Sequence, residues 1–537
     1  MRLSKVTIGS FKNLVNLTIN FDEASPYTVL VGENGAGKSN LTEALCFIFR
    51  NLDLDIEAPF DYELEYECRG AAIQIVAKGN QFPAFKIRHT PGDDFQDLPR
   101  KSFMAEDEAG RPLHRPAFVF GYYSGTSDRL APIFERHRDR FYSWIIKPPE
   151  KRGRAIADPN ALRRLFYAET LHGQFALIAF FMETSDASRD DREFLRDHLQ
   201  IAGLDSVLFA LRRPPWPDQG GGDGRFWGAI GEVQHFLSRL YDRAMLPLRM
   251  NRRIPLGLRK NPLVDSLYLF LPNAQSLADV YKGYANQYAF FTALESMHLS
   301  KVLGEVRTRV KMTAAAGGGE VTYRDLSEGE QQLLLVLGLL KFTARDEALF
   351  LLDEPDTHLN PIWSTQYLSF LDRFIHNRDS CHIIMSTHDP LVFAGLKREQ
   401  VRIFRRDAKG YAIVELPEQD PRGMGVAAIL TSDLFRLRTT LDPETQEALD
   451  RQRLLSMKDR LTPEEEEDLA KLREALRGQG FAITPRDPLY AQFLKAWTEQ
   501  EDPSWRESVD LTPKQQEARE QLAARIVADI RREQGLN

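Results

Sequence analysis

Apolar and polar residues alternate over residues 5–11 and 17–21, the pattern of strands with one buried face. Residues 27–31 form instead a continuous apolar run that stops at Gly32, which predicts a buried strand feeding a loop. Beyond the loop, Leu41, Ala44, Leu45 and Ile48 fall on one helical face, so the chain opens strand, glycine loop, helix. Residues from about 62 to 88 read as further strands, 72–77 being the clearest. From roughly 125 to 310 the pattern is mostly helical, broken by Pro214-Pro215-Trp216-Pro217 and Gly220-Gly221-Gly222, an exposed loop by composition. No heptad repeat is sustained there, so a long coiled-coil arm is not expected. Buried-strand character resumes at Glu320 and runs to about Leu416, with apolar strands at 348–352 and 382–386. The remainder is helix-rich and highly charged. Two of its helices are expected to begin at Leu-Thr-Pro: Thr462 with Pro463 and Glu465, and Thr512 with Pro513.

Composition narrows the class. At 537 residues, 43% hydrophobic and 27% charged, the chain is long enough for two or three cores. No run of about 18 apolar residues appears, so no membrane span is expected. Met1-Arg2-Leu3-Ser4-Lys5 leads into an alternating strand without the apolar stretch of a signal peptide. Cys46, Cys68 and Cys381 are far apart and form no metal-type pair, which fits a reducing cytoplasm. The net charge of −7 argues against a surface uniformly suited to nucleic acid, while leaving room for a local basic groove.

The chemistry concentrates in three segments. Gly32-Glu33-Asn34-Gly35-Ala36-Gly37-Lys38-Ser39 fits the phosphate-binding loop pattern. Its glycines let backbone N–H groups turn toward phosphate oxygens at the positive end of the next helix. Asn34, Gly35, Gly37, Lys38, Ser39 and Asn40 are the candidate contacts, with Lys38 on the β- and γ-phosphates and Ser39 on Mg²⁺. Asp353 and Glu354 end an apolar strand; Asp353 is the candidate Mg²⁺-side carboxylate and Glu354 the candidate general base. Leu326-Ser327-Glu328-Gly329-Glu330-Gln331-Gln332 precedes a helix hydrophobic nearly all round, and Ser327 with Glu330 forms a capping box. By itself that is a well-capped core helix. Its Ser-x-Gly-x-Gln-Gln start also offers small residues and free N–H groups to a phosphate.

This last segment resembles the signature motif of ABC ATPases. Asp356-Thr357-His358-Leu359-Asn360-Pro361 resembles the D-loop of that family, and Ser386-Thr387-His388-Asp389 its switch-histidine loop. The resemblance implies an α/β P-loop NTPase of ABC type with an antiparallel β-lobe, a helical insertion and a helical C-terminal region. It implies ATP and Mg²⁺ as cofactors, Glu354 and His388 as catalytic residues, and a homodimer or higher homo-oligomer. Each ATP would then lie between one phosphate loop and the Ser327, Gly329 and Glu330 of the opposite copy. Residues 1–124 would be the first half of the head, with phosphate loop and β-lobe, and 125–319 a mainly helical insertion. Residues 320–419 would be the second half of the head and 420–537 a helical C-terminal region. Tyr122-Tyr123-Ser124-Gly125, after the apolar 117–120, is about where the Q-loop of the family would lie.

Lys38 and Ser327 are about 290 residues apart, more than a transporter motor needs. The opening residues 8–14, followed by Val31-Gly32-Glu33-Asn34-Gly35, resemble the RecF, SMC and OLD-like branch, and the tail has no Toprim pattern. The insertion, with Gly423-Met424-Gly425, Leu430-Thr431-Ser432-Asp433 and Asp487-Pro488-Leu489-Tyr490, resembles compact AAA-type ATPases of bacterial anti-phage systems, including the Septu ATPases. That likeness implies a separate nuclease subunit of HNH type; a RecF-like DNA-binding repair ATPase is the alternative. Three basic clusters are candidate DNA contacts: Arg136, Arg138 and Arg140; Lys147, Lys151, Arg152 and Arg154; Arg249, Arg252, Arg253, Arg259 and Lys260. Interleaved acidic residues leave a solvated, ion-paired surface as the other reading of all three. The acidic run 464–468 reads as the first turn of a helix.

Overall fold

The computed structural model describes residues 1–22, 24–108, 110–125, 127–147, 164–182, 189–216, 222–253, 262–343, 347–375, 377–458, 460–478, 492–493, 496–497, 499–502, 504–507 and 512–533. Lys151, Arg152, Arg154, Pro217, Gly220, Gly221, Arg259, Lys260 and the Asp487–Tyr490 motif lie outside the described residues. The chain divides into two units, Met1–Arg422 and Gly423–Asn537.

The first unit contains three sheets. The alternating segments of the N-terminal region form an antiparallel sheet in the order β2-β1-β4-β5-β6-β7, from β1 (Arg2–Phe11), β2 (Leu14–Asn20), β4 (Tyr62–Cys68), β5 (Ala71–Ala77), β6 (Ala84–Arg88) and β7 (Gln96–Leu98). Its inward residues, Leu3, Val6, Ile8, Leu64, Ile73 and Ile75 among them, are buried in one cluster with Leu41, Ala44, Leu45, Ile48 and Phe49 of the helix Lys38–Leu54. The helix that follows the phosphate loop is thus seated against this lobe, as its apolar face demands.

The continuous apolar runs build the second sheet, because strands covered on both faces have no polar side to alternate with. Its strands are β3 (Tyr27–Gly32), β8 (Phe118–Tyr123), β9 (Leu165–Tyr167), β15 (Ala348–Asp353), β16 (Cys381–Ser386), β17 (Val401–Arg406) and β18 (Ala412–Glu415). They lie in the order β18-β17-β3-β16-β15-β8-β9, all parallel except the edge strand β18. Every residue of β15 and β16 is buried. Asp353 is in register with Ser386 on one side and Tyr123 on the other, so three strand ends arrive at the same edge as Gly32. That carboxyl edge is where open α/β sheets place ligands.

Along the chain between β9 and β15, where the pattern predicted mostly helices, a third sheet forms. It is antiparallel, in the order β11-β12-β10-β13-β14, from β10 (Ile201–Arg212), β11 (Leu248–Arg253), β12 (Leu263–Leu271), β13 (Leu303–Met312) and β14 (Glu320–Thr322). The 125–319 segment is therefore mixed in composition. β10 carries Leu and Ala, good helix formers, and cross-strand pairing with β12 and β13 overrides that propensity. The helices there include Ala131–Ile145, Leu171–Phe180, Gly231–Arg243 and Gln287–Leu299.

The second unit is helical in its described residues, with Pro443–Ser456, Pro463–Gly478 and Pro513–Glu533 as its longer helices. The expected caps are present. Glu465 N–H donates to Thr462 Oγ (3.3 Å) while the Glu465 carboxylate accepts from Thr462 N–H (3.0 Å), and Gln515 answers Thr512 in the same way. Trp505, Leu522 and Ile526 form a small apolar cluster. Among the described residues no helix is long and apolar enough to cross a membrane.

Gly32 shows how tightly the site is tied to the sheet. Its φ is +141°, and a Cβ there would lie inside contact distance of the Phe404 carbonyl oxygen on β17. Gly32→Ala should therefore cost about 2–4 kcal/mol, from backbone strain plus overpacking. Chemical denaturation of the purified protein reads this directly; an unchanged midpoint would show that β17 gives way.

Candidate nucleotide site

Gly37, at φ +119°, is the N-cap of the helix Lys38–Leu54 and offers no side chain to the first turn. The first-turn N–H groups are therefore not capped from Gly37, and the turn holds no acidic residue. A bare, positively polarised helix start after a glycine turn is a place for phosphate. Two residues brace the loop from outside. Arg406 on β17 donates to the carbonyls of Gly35 (3.2 Å) and Asn34 (3.1 Å), and Asn13 donates to Gly35 (3.2 Å). Asn40 donates to Asn13 (2.6 Å) and accepts from Arg129 (2.5 Å), so its side chain is engaged in holding the loop against the β-lobe. Lys38 is 5% exposed and turns back over the loop, donating to the carbonyls of Gly32 (2.6 Å) and Glu33 (3.1 Å). Burial brings its ammonium down to about 8, against the pull of Asp353, Glu354 and Glu33. Ser39 follows on the first turn, half-buried.

Asp353 is 1% exposed at the end of β15. One of its oxygens accepts from Ser386 Oγ, and Oδ2 has no hydrogen-bond partner among the described residues. A buried carboxylate oxygen without a partner is costly, and a cation beside it resolves that cost. Among the described residues no cluster of three or more His, Cys, Asp or Glu could hold a metal alone. A donor set of one carboxylate, one hydroxyl and phosphate oxygens suits Mg²⁺, which keeps few protein ligands. Asp353 and Ser39 fit that description.

Glu354 has φ +54°, a left-handed conformation that non-glycine residues adopt only when the surroundings impose it. Its N–H donates to the Ser386 carbonyl (3.0 Å), and its own carbonyl accepts from Thr357 Oγ (2.8 Å) and Gln332 Nε2 (3.3 Å). The carboxylate lies 3.4 Å from His388 Nε2. Burial and then Asp353 raise the Glu354 carboxyl above its ordinary value, with Lys38 opposing. Burial and then Lys38 lower the His388 imidazole below its own. A half-buried carboxylate raised in pKa beside a neutral imidazole can hold and hand on a proton. Asp356, 4% exposed and pushed up to about 7 by burial, accepts from Thr387 Oγ, and this bond joins the segment 356–361 to the segment 386–389.

Lys38, Asp353, Glu354 and His388 therefore come together from separate strand ends. Ser327, Gly329 and Glu330 form a corner of their own. The Glu330 carboxylate accepts from Ser327 N–H (2.7 Å) and Oγ–H (2.8 Å), and Gly329 packs under the His358 carbonyl with no room for a Cβ. Glu328, 80% exposed, reaches His358 Nδ1 at 3.3 Å. Among the described residues no hydrogen bond joins this corner to the phosphate loop of the same chain. Ser124 follows β8, donating its N–H to the Asp353 carbonyl (3.2 Å) and facing Thr357 Oγ1 at 3.2 Å. Arg406, Asn13 and Arg129 are invisible to motif reading, and Gln332 shows only as part of its own segment, since the partners of all four are far away in sequence.

The basic clusters divide. Arg138 pairs with Glu169 (2.7 Å) and Arg249 with Asp265 (2.6 Å), as an ion-paired surface would have them. Arg136, Arg140, Arg252 and Arg253 are exposed, Arg252 donating to Tyr268 Oη (3.2 Å). A separate cavity between the helices Ala131–Ile145, Gly231–Arg243 and Gln287–Leu299 contains none of the candidate residues.

The profile of the family described as "AAA domain, putative AbiEii toxin, Type IV TA system" matches residues 27–394. "Septu protein PtuA" of Bacillus mycoides (strain KBAB4) is 29% identical over 161 residues, 28% of this chain and 22% of that protein. "Retron Vc95 probable ATPase" of Vibrio cholerae serotype O1 biovar El Tor is 26% identical over 130 residues, 22% of this chain and 24% of that protein. The matches span less than a quarter of the length of these curated relatives. Among solved structures, an SMC head bound to the C-terminal winged-helix domain of ScpA covers 78% of this chain and 97% of its own, at 13% identity and a TM-score of 0.30. An Smc head with extended coiled coil, bound to a ScpA domain from Pyrococcus furiosus, covers 77% and 96% at 12% identity and a TM-score of 0.30.

Proposed function

Because the chain belongs to this AAA-domain family, we propose that it is an ATPase of anti-phage defence, working as a pair of heads that close on ATP. The observation that supports this best is the convergence of Lys38, the unpartnered Asp353 Oδ2 and the Glu354–His388 pair at one sheet edge. The loop N–H groups and Lys38 hold the β- and γ-phosphates. Ser39 and Asp353 would hold Mg²⁺, which when bound would neutralise phosphate charge. Glu354 orients the attacking water and takes its proton, and His388 steadies the γ-phosphate and the Glu354 carboxylate. Ser327 and Glu328 are exposed at a helix start, open to a phosphate held by another copy. A second copy turned head-to-tail supplies one, and the two ATP-bridged contacts follow from two-fold symmetry. Closure is favoured by contacts made only with ATP present, and hydrolysis removes them.

The Septu likeness supports an output that passes to a separate nuclease of HNH type, and Cys46, Cys68 and Cys381, free and buried, suit a reducing cytoplasm. A direct DNA contact is the second reading, supported by Arg252 and Arg253 on the exposed strand Leu248–Arg253. Light scattering on the Glu354→Gln protein tests the central claim: ATP should convert it to a dimer or larger assembly, and ADP should not. A mass indifferent to nucleotide would overturn the paired-head reading. Co-expression with a nuclease of HNH type from the same defence class should give a complex whose DNA cleavage changes with ATP; no complex would overturn the nuclease reading.

A further inference from the structure

Gln332 belongs to the signature segment, but none of the expected nucleotide contacts includes it. It stands one turn into the helix Glu328–Thr343 and is 4% exposed. Its side-chain amide is distributed over three other elements. Oε1 accepts from the backbone N–H of His358 at 3.1 Å; Nε2 donates to the hydroxyl oxygen of Tyr122 at 3.1 Å and to the backbone carbonyl of Glu354 at 3.3 Å. An amide has two N–H donors and one carbonyl, so each donor and the acceptor is matched. No other residue type of this size offers two donors and an acceptor in one plane, apart from the shorter Asn.

The Glu354 end of this arrangement is the informative one. Glu354 sits in the left-handed region, where a non-glycine residue is held by its surroundings. Its N–H is fixed by Ser386 on β16, and its carbonyl by Thr357 and Gln332. The direction of the Glu354 side chain is set by that peptide orientation. Thr357 belongs to the same turn as Glu354, so on the carbonyl side Gln332 is the tie that comes from outside the turn. The same amide also holds His358, whose carbonyl covers Gly329.

We infer that Gln332 is a positioning residue, which fixes the backbone of Glu354 and of the D-loop in register with the signature helix. This rests on the ATPase reading with Glu354 as base. If that reading holds, a nucleotide engaged by Ser327 from the opposing copy pulls on the helix that carries Gln332. The pull then reaches Glu354 of the same chain through one buried amide. The two ATP sites of a pair are coupled by this route, signature helix to base, without a contact between the two nucleotides.

A double-mutant cycle on the full chain tests it. Gln332→Leu keeps the volume and removes all three hydrogen bonds. A misplacement of about 1 Å in a catalytic group costs roughly 10²-fold, so kcat for ATP should fall about 10- to 100-fold, with KM within about threefold. Tyr122→Phe, which removes only a hydroxyl, should lower kcat about three- to tenfold by the same route. In a Glu354→Gln background both changes should alter the residual single-turnover rate by less than about threefold, because the base they position is gone. Equal loss in both backgrounds, or a rise in KM alone, would assign Gln332 a merely structural role and overturn the inference. Should Gln332→Leu fail to fold, judged by its thermal melt, Tyr122→Phe carries the cycle. A Glu354→Gln protein that turns over normally would remove the base reading and this inference with it. A dead Glu354→Gln beside a normal Gln332→Leu would sink this inference alone.

Discussion

Glu354→Gln is expected to lower ATP hydrolysis by about 10²–10⁴-fold while leaving nucleotide affinity within about threefold, the signature of a lost general base. The replacement is close to isosteric and keeps the residue at its strained φ of +54°, so the neighbouring backbone contacts to Ser386, Thr357 and Gln332 stay in place. What it removes is the negative charge 3.4 Å from His388 Nε2, and with it the carboxylate placed to take a proton from a water there. The structure argues that this charge is lightly paired. Lys38 opposes the raised carboxyl from a distance, but its hydrogen bonds go to Gly32 and Glu33. The measurement is a single-turnover ATP assay beside equilibrium binding of a non-hydrolysable analogue. Wild-type turnover in the variant would remove Glu354 from the reaction, and Asp356, the buried carboxyl pushed up to about 7, would be the next to test.

The second large effect belongs to Lys38. Lys38→Ala should weaken nucleotide binding by about 10²-fold or more, since truncating one partner of a buried charge pair costs about 2–5 kcal/mol. Lys38 is 5% exposed and sits in a field set by Asp353, Glu354 and Glu33. Without it these carboxylates would repel the incoming phosphates unopposed. Its present partners are two loop carbonyls, so the ammonium needs only to exchange them for phosphate oxygens. Lys38→Arg is not a conservative rescue, because a planar guanidinium presents a different donor geometry in the same enclosed space. Isothermal titration with ATP and Mg²⁺ would decide; unchanged affinity in Lys38→Ala would dissociate this loop from the nucleotide.

The parts of the site that were legible in the sequence are those made by neighbours in the chain. The loop Gly32–Ser39, the Asp353-Glu354 strand end and the Ser327–Glu330 capping box are each a few residues long and carry their chemistry in order. What stayed hidden depends on distance along the chain. Arg406 reaches Asn34 and Gly35, and Gln332 reaches Tyr122 across 210 residues, and no local pattern announces either. The third sheet was obscured differently. In β10, Leu and Ala favour helix, and only pairing with β12 and β13 fixes the strand. β13 falls in the segment expected to be mostly helical, although Val306, Thr308 and Val310 point inward in strict alternation. The separateness of the Ser327 corner from the loop of its own chain was implied by the resemblance and could not be read from spacing.

The brace on the phosphate loop has a consequence for how the protein is made. Arg406 and Gly35 are 371 residues apart, and β3 is flanked by β16 and β17, which come equally late. At a synthesis rate of about 5–20 residues per second, the loop leaves the ribosome roughly 20–75 s before the strands that complete it. Throughout that interval the nascent chain carries an apolar strand without partners and a glycine turn without its arginine. Competence for ATP is thus deferred until almost the whole first unit has emerged. A chain cut short anywhere before β17 would be a client for chaperones and not a half-working engine.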